Sequence, residues 1–352
     1  MPIATTDLKA FYAADMSNGS TSGGRITFNQ ITSGALQCTF PHAFRAVRTT
    51  GNLANPDHRK LFFRNCNDAD ETGFAPLQYL FRPNPSQAWC YKVIGTQRST
   101  RADLTGSEAR YGAGLLAASV GVGATVLIVS VKHADLTSCF AVGRPIRIAS
   151  KLLPSSTTGV EEEFVPTAVT VSDLQVTITI PSPGVANPYT AGASTDYTTG
   201  CVVFSVYYPA SGELECVIDN WSESTGTVYD EAEHPVICDN IGTAEQTWTI
   251  ARLSDTQFSC TGDTIGALPT GSTSSDYAPV HPATPITPAS GKPFFTLEAA
   301  GWLTTIPVGY TLVFQTHPPA IPTHEFRCIP PACGPMAGDG ITLCIEVETV
   351  AV

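Results

Sequence analysis

Sulfur is the most plentiful source of reactivity in this chain. Eleven cysteines stand at positions 38, 66, 90, 139, 201, 216, 238, 260, 328, 333 and 344, and no two of them form a CxxC pair. The odd total leaves at least one thiol without a partner inside the chain. In an oxidising setting such a thiol stays free or bridges to another subunit.

Metal chemistry is the next possibility. His317, His324, Cys328 and Cys333 lie within 17 residues and carry the imidazole and thiolate groups that suit zinc. Their spacings of seven, four and five match no zinc pattern, and Pro318, Pro319, Pro322, Pro330 and Pro331 make the segment extended and turn-rich. Structural cysteines explain it better. Asp68-Ala69-Asp70-Glu71-Thr72-Gly73 alternates oxygen ligands ahead of a glycine, as calcium loops do. The closing position of such a loop needs a bidentate Glu and holds Tyr79 instead, so a solvated turn is expected. The sequence therefore implies no metal and no cofactor.

Acid–base and nucleophilic chemistry fare no better. Glu161-Glu162-Glu163 is the densest acidic run, but neighbours on a strand point to opposite faces, and a solvated loop leading into a strand at Phe164 accounts for it. Asp219-Asn220-Trp221 with Glu223 has the makings of a sugar patch, against the commoner case of an aromatic half-buried at a strand end. There is no Gly-x-Ser-x-Gly elbow and no phosphate-cradling glycine loop; Gly19, Gly23 and Gly24 sit among Ser and Thr with no strand before them. The residue types thus point to a protein without catalysis of its own.

The elements that must position these residues are strands. Charged residues make up only 14% of 352, while 29 Gly and 27 Pro supply turns, and the apolar runs favour Val, Ile, Thr, Phe and Tyr. An all-β, multi-domain chain is predicted: immunoglobulin-like β-sandwiches with a central inserted β domain. The expected divisions are an N-terminal arm over 1–24, with a short helix capped by Thr6 and running to Asp15, a β-sandwich over 25–98, a central β domain over 116–208 and a C-terminal β domain over 212–352. Within the central domain, alternation on both sides of Ser172-Asp173 predicts a hairpin. Residues 261–293, dominated by Gly, Pro, Ser and Thr, read as a long arm without its own core.

Charge and hydropathy narrow the partners. A formal net charge of -12 without a local basic patch argues against nucleic acid. No apolar run reaches the roughly 20 residues that span a bilayer, and the first residues lack the basic and apolar blocks of a secretory signal, so synthesis in a cytoplasm is expected.

Two segments carry a resemblance. Arg59-Lys60-Leu61-Phe62-Phe63-Arg64-Asn65-Cys66-Asn67, followed by Tyr79-Leu80, resembles a sandwich segment of tailed-bacteriophage virion structural proteins. Gly309-Tyr310-Thr311-Leu312-Val313-Phe314-Gln315-Thr316, with Pro318-Pro319-Ala320-Ile321-Pro322, resembles a C-terminal segment of such proteins. The resemblance implies a part of the neck, collar or tail in the virion, collar-sheath-like, arranged as a ring of copies in contact with itself and with neck, portal or tail proteins. It also implies thiols reduced during assembly and oxidised between neighbouring subunits after release. Cys66, Cys260, Cys328 and Cys333 are the expected bridges, whereas Cys201 and Cys216 read as buried strand residues. A receptor-binding tail or baseplate adhesin, with a ligand on the central domain, is the alternative.

Overall fold

A computed structural model describes residues 8–16, 20–31, 37–38, 57–66, 77–83, 89–93, 97–105, 107–131, 134–150, 159–192, 200–208, 215–281, 291–327 and 341–347. Strand accounts for 47% and helix for 5%, the latter in short 3-10 turns such as Ala134–Cys139, so the fold is all-β and multi-domain.

The chain opens with β1 (Leu8–Asp15), β2 (Gly23–Gln30), β3 (Gln37–Cys38), β4 (Asp57–Asn65), β5 (Leu77–Pro83), β6 (Trp89–Val93) and β7 (Arg110–Leu116). Residues 8–15 are therefore a strand rather than a capped helix in an arm. Pairing on both sides, Phe11 opposite Phe62 on β4 and Ala13 opposite Ile26 on β2, overrides local helix preference. Phe11, Ala13, Phe62, Cys66 and Ala320 then form a small core there.

The central unit contains β8 (Val126–Ser130), β9 (Ile146–Ala149), β10 (Glu161–Phe164), β11 (Ala168–Ser172), β12 (Gln175–Thr179) and β13 (Val202–Tyr207). With β7 they pair in the order β11-β12-β8-β7-β13-β9-β10, all antiparallel. The two outermost strands, β10 and β11, are consecutive in the chain and separated only by Val165-Pro166-Thr167. A link that short spans at most about 14 Å. The sheet must therefore curl until its edges approach, around a core of Leu127, Val129, Ile146, Ile148, Val176 and Ile178. The expected hairpin is present, with Asp173 at φ 53 in the turn.

The C-terminal unit holds β14 (Val217–Glu223), β15 (Gln246–Arg252), β16 (Gln257–Gly262), β17 (Gly266–Ala267), β18 (Gly271–Ser272) and β19 (Thr311–His317). They form a second sheet, β14-β19-β15-β16-β17, with β18 beside β16, over an aromatic core that includes Trp248, Phe258, Phe295 and Phe314. Part of the expected arm at 261–293 belongs to this core: Tyr277 meets Phe258 edge-on at 5.1 Å, and His281 is buried against Phe294. Residues 282–290 lie outside the described residues.

The chain then returns to the first sheet. β20 (Ala320–Arg327) lies between β4 and β6, and β21 (Ile341–Val347) pairs with β5 and β3. The first sheet is thus built from both ends of the chain, and a division into 25–98 and 212–352 cuts through it.

The central unit leaves the first sheet at β7, whose first half pairs with β6 and whose second half pairs with β8 and β13. Gly114 sits at that branch, where an added Cβ would stand 2.5 Å from a Val129 methyl and 2.7 Å from the Ser130 carbonyl. Gly114→Ala is expected to destabilise the protein by about 1–3 kcal/mol through overpacking, read as a lower denaturant midpoint at unchanged slope.

Candidate functional site

The strongest cluster of chemical groups is assembled by β20. Ser22 Oγ lies 2.8 Å from His58 Nδ1, His58 Nε2 lies 2.8 Å from His324 Nδ1, and His324 Nε2 lies 3.0 Å from Ser99 Oγ. The ammonium of Lys60 completes the chain, donating to the carbonyls of Gln97 at 2.9 Å and Ser99 at 2.7 Å and to the Ser99 hydroxyl at 3.2 Å. Three acceptors match its three donors. Burial drives the Lys60 pKa down to about 7 against the opposing pull of Glu245 and Asp103.

A serine on an imidazole and a lysine titrating near neutrality are the parts of an activated nucleophile. Access decides against that chemistry. Ser22, His58, Lys60 and His324 are 0% exposed and Ser99 is 5% exposed, so no substrate atom reaches them. A buried polar network with its partners satisfied fixes structure instead.

A second cluster joins the first sheet to the C-terminal unit. Glu245, 1% exposed, accepts from Arg98 Nε at 2.5 Å, and its other oxygen lies 2.6 Å from His317 Nδ1. His317 Nε2 in turn lies 3.1 Å from Asp219. Burial opposes the charged imidazole, but the two carboxylates outweigh it and raise the His317 pKa. Arg25 forms a two-pronged ion pair with Asp263. Arg64 gives hydrogen bonds to the carbonyls of Asn240, Ile241 and Thr243 at 2.7–3.0 Å.

The zinc candidates accordingly part company. His317 belongs to the ion-pair cluster and His324 to the sealed network, while Cys328 and Cys333 lie outside the described residues, as does the Asp68–Gly73 segment. Among the described residues no group of three or more His, Cys, Asp or Glu is placed to hold a metal ion.

Glu161–Glu163 are not a solvated loop but β10, whose register sets Glu163 opposite Arg147. Arg147 pairs with Glu161 at 3.4 Å and Glu163 at 3.1 Å on one face. Glu162, on the other face, accepts from Ala186 N, Asn187 N, Asn187 Nδ2 and Tyr189 Oη at 2.6–2.9 Å. Burial pushes the Glu162 pKa up, and these donors more than reverse it. Trp221 is half-buried against Tyr229 and Phe314, and Glu223 is occupied by Val228 N at 2.7 Å and the Tyr310 hydroxyl at 2.8 Å. Neither acidic group is set across a cleft as a glycosidase pair.

The thiols are redistributed as well. Cys260 is fully buried, and burial raises its pKa to about 12; Cys66 is 5% exposed. Both bridge candidates are enclosed by their own chain, which corrects the expectation that they face a neighbour. Cys201 is buried as expected, but Cys216 is only half-buried.

Among the described residues, an open cleft of about 390 Å³ is lined by Tyr111, Tyr207, Tyr208, Val142, Arg144 and Val206. Tyr111 and Tyr207 meet edge-on at 5.4 Å, and the Arg144 guanidinium lies 5.0 Å over the Tyr111 ring. Arg144 is held by the carbonyls of Arg110, Ser138 and Cys139, so the cleft offers aromatic faces rather than a reacting group.

No family model matches the chain, and no similar curated protein or solved structure was found. Among the described residues no helix is long and apolar enough to cross a membrane.

The Lys60 geometry fixes the sign of a pH effect. Between about pH 7 and 10.5 the unfolded chain holds this proton and the folded chain does not, so this group adds stability as pH rises. The stability difference between wild type and Lys60→Met is expected to move in favour of wild type by roughly 1 kcal/mol per pH unit between pH 7.5 and 9.5. Urea titrations at fixed pH values check it.

Proposed function

We propose that the chain is a non-enzymatic structural subunit that assembles with copies of itself. The observation that carries this reading is the contrast between the edge strands of the central unit. β10 bears three glutamates, a common guard against strand addition, whereas β11 reads Ala-Val-Thr-Val-Ser with no charge and no proline. Val171 alternates in phase with half-buried Val169 and stands opposite buried Val176, yet is 54% exposed, so the core that covers this sheet face stops short of Val171 at the β11 edge. Val165 and Leu174 flank it and are exposed too. A second copy adding alongside β11 would satisfy the backbone and cover these side chains.

The resemblance to tailed-phage virion proteins supplies the setting: a ring in the neck, collar or tail. With Cys66 and Cys260 enclosed, Cys328 and Cys333 are the thiols that would lock neighbouring subunits. The aromatic cleft favours a second reading, the tail adhesin, because tyrosine rings lining a cleft offer faces to sugar or another flat ligand without catalysis. Glycan-array binding that is lost on Tyr207→Ala would support that alternative.

Sedimentation of the full chain across a concentration series tests the first reading. Wild type is expected to form a closed oligomer, and Val171→Asp to weaken association at least about tenfold by burying an unpaired charge. Val308→Asp, which changes an exposed valine in the C-terminal unit, is the control and should leave assembly intact. A wild type that stays monomeric, or equal weakening by both variants, would overturn the β11 contact.

A further inference from the structure

We infer that Cys216 and Cys238 are a redox-active pair that closes into a disulfide within one chain, stapling β14 to the segment that packs on the first sheet. Cys216 immediately precedes β14, and Cys238 follows Ile237, which bridges to Thr296 in the C-terminal unit. Their sulfur atoms stand 2.7 Å apart, the Cys238 thiol donating, and the Cys216 thiol donates to the Cys238 carbonyl at 3.1 Å. Both are half-buried rather than sealed, unlike Cys66, Cys139, Cys201 and Cys260.

The surroundings favour reaction at Cys216. Arg64, a guanidinium that keeps its charge in proteins, reaches the same pocket through the carbonyls of Asn240, Ile241 and Thr243 and is close enough to interact electrostatically with Cys216. The hydrogen bond from Cys238 lowers the Cys216 pKa; burial opposes it, Thr243 assists and Asp239 opposes. The same bond and burial raise that of Cys238. One member is thus set to attack and the other to resolve.

The oxidant is a small-molecule disulfide. The Cys216 thiolate, having lost its proton to solvent, attacks one sulfur of that disulfide and expels the other as a thiolate. Cys238 then loses its proton and attacks the Cys216 sulfur of the mixed disulfide, expelling the second thiolate. The two protein thiols give up two electrons and two protons, and the small disulfide becomes two thiols.

The test incubates the full chain with oxidised glutathione, alkylates remaining thiols and maps peptides by mass spectrometry. A linked peptide pair joining 216 to 238, lighter by two hydrogens than the free pair, is expected, with the protein still running as a monomer on a denaturing gel. Cys66→Ser should keep that link, and Cys216→Ser should lose it while Cys238 becomes fully alkylated. Alkylation of both thiols in wild type, or linkage of Cys216 to any other cysteine, would overturn the pairing. Thermal unfolding separates a staple from an incidental link: oxidation should raise the midpoint in wild type and leave it unmoved in the Cys216→Ser, Cys238→Ser double variant. An unmoved wild type would show that the link closes without bracing the fold.

Discussion

The seating of β20 between β4 and β6 is the constraint on which the first sheet depends. It contributes eight register pairs to β4 and five to β6, bringing residues near the end of the described chain into the middle of a sheet begun near its start. Backbone pairing alone leaves strand register loosely specified, since neighbouring registers form almost as many hydrogen bonds. Here the register is keyed by polar side chains. His324 fits between His58 and Ser99, and the Thr323 hydroxyl reaches the Leu61 carbonyl at 3.2 Å. A slip by one residue would turn His324 to the opposite face and leave buried donors and acceptors without partners. Each such loss costs about 1–3 kcal/mol, so the wrong registers are excluded by more than the right one is favoured.

The same logic joins the first sheet to the C-terminal unit. A chain with only 19 basic residues places Arg25, Arg64 and Arg98 at one junction, on Asp263, on a run of carbonyls and on Glu245. Arginine suits this task because its planar fork satisfies several acceptors at once and its charge cannot be titrated away. Breaking one side would strand a buried charge, whereas the intact contacts mainly specify how the two units meet. Phe28 on β2 adds the apolar part, packing edge-on against His281 at 5.0 Å.

These couplings explain which features could be read from the sequence. The β11–β12 hairpin was legible because alternation and the Ser172-Asp173 turn are local signals, and an all-β fold was legible because Val, Ile and Thr runs recur between Gly and Pro. The strand at 8–15 was not, because its identity comes from β4, some fifty positions later. Nor was the sealed network: His58 and His324 are 266 positions apart, and nothing near either announces the other. Glu161–Glu163 looked solvated because the partner of two of them, Arg147, becomes a neighbour only once β9 and β10 pair; an arginine between two isoleucines on a strand was the available hint. Cys216 read as a buried strand residue for the same reason, since Cys238 lies 22 positions away and its approach is a tertiary contact.

The molecule places much of its polarity inside and apolar side chains outside. Most proteins this poor in charge would keep what they have at the surface for solubility. This one places a lysine, an arginine, two histidines of the network and a glutamate inside, at 3% exposure or less, and leaves Val122, Val142 and Val171 outside at more than half exposure. Interior polar groups with their partners already in place make the fold self-sufficient, because every satisfied group is one that no neighbour has to supply. Exterior valines contribute nothing to the isolated chain and become favourable only when covered. Under the proposed assembly, the division separates the forces that shape the chain from those that would join it to a copy: polar keys and arginine contacts set the shape, while apolar side chains at an uncharged strand edge stay exposed.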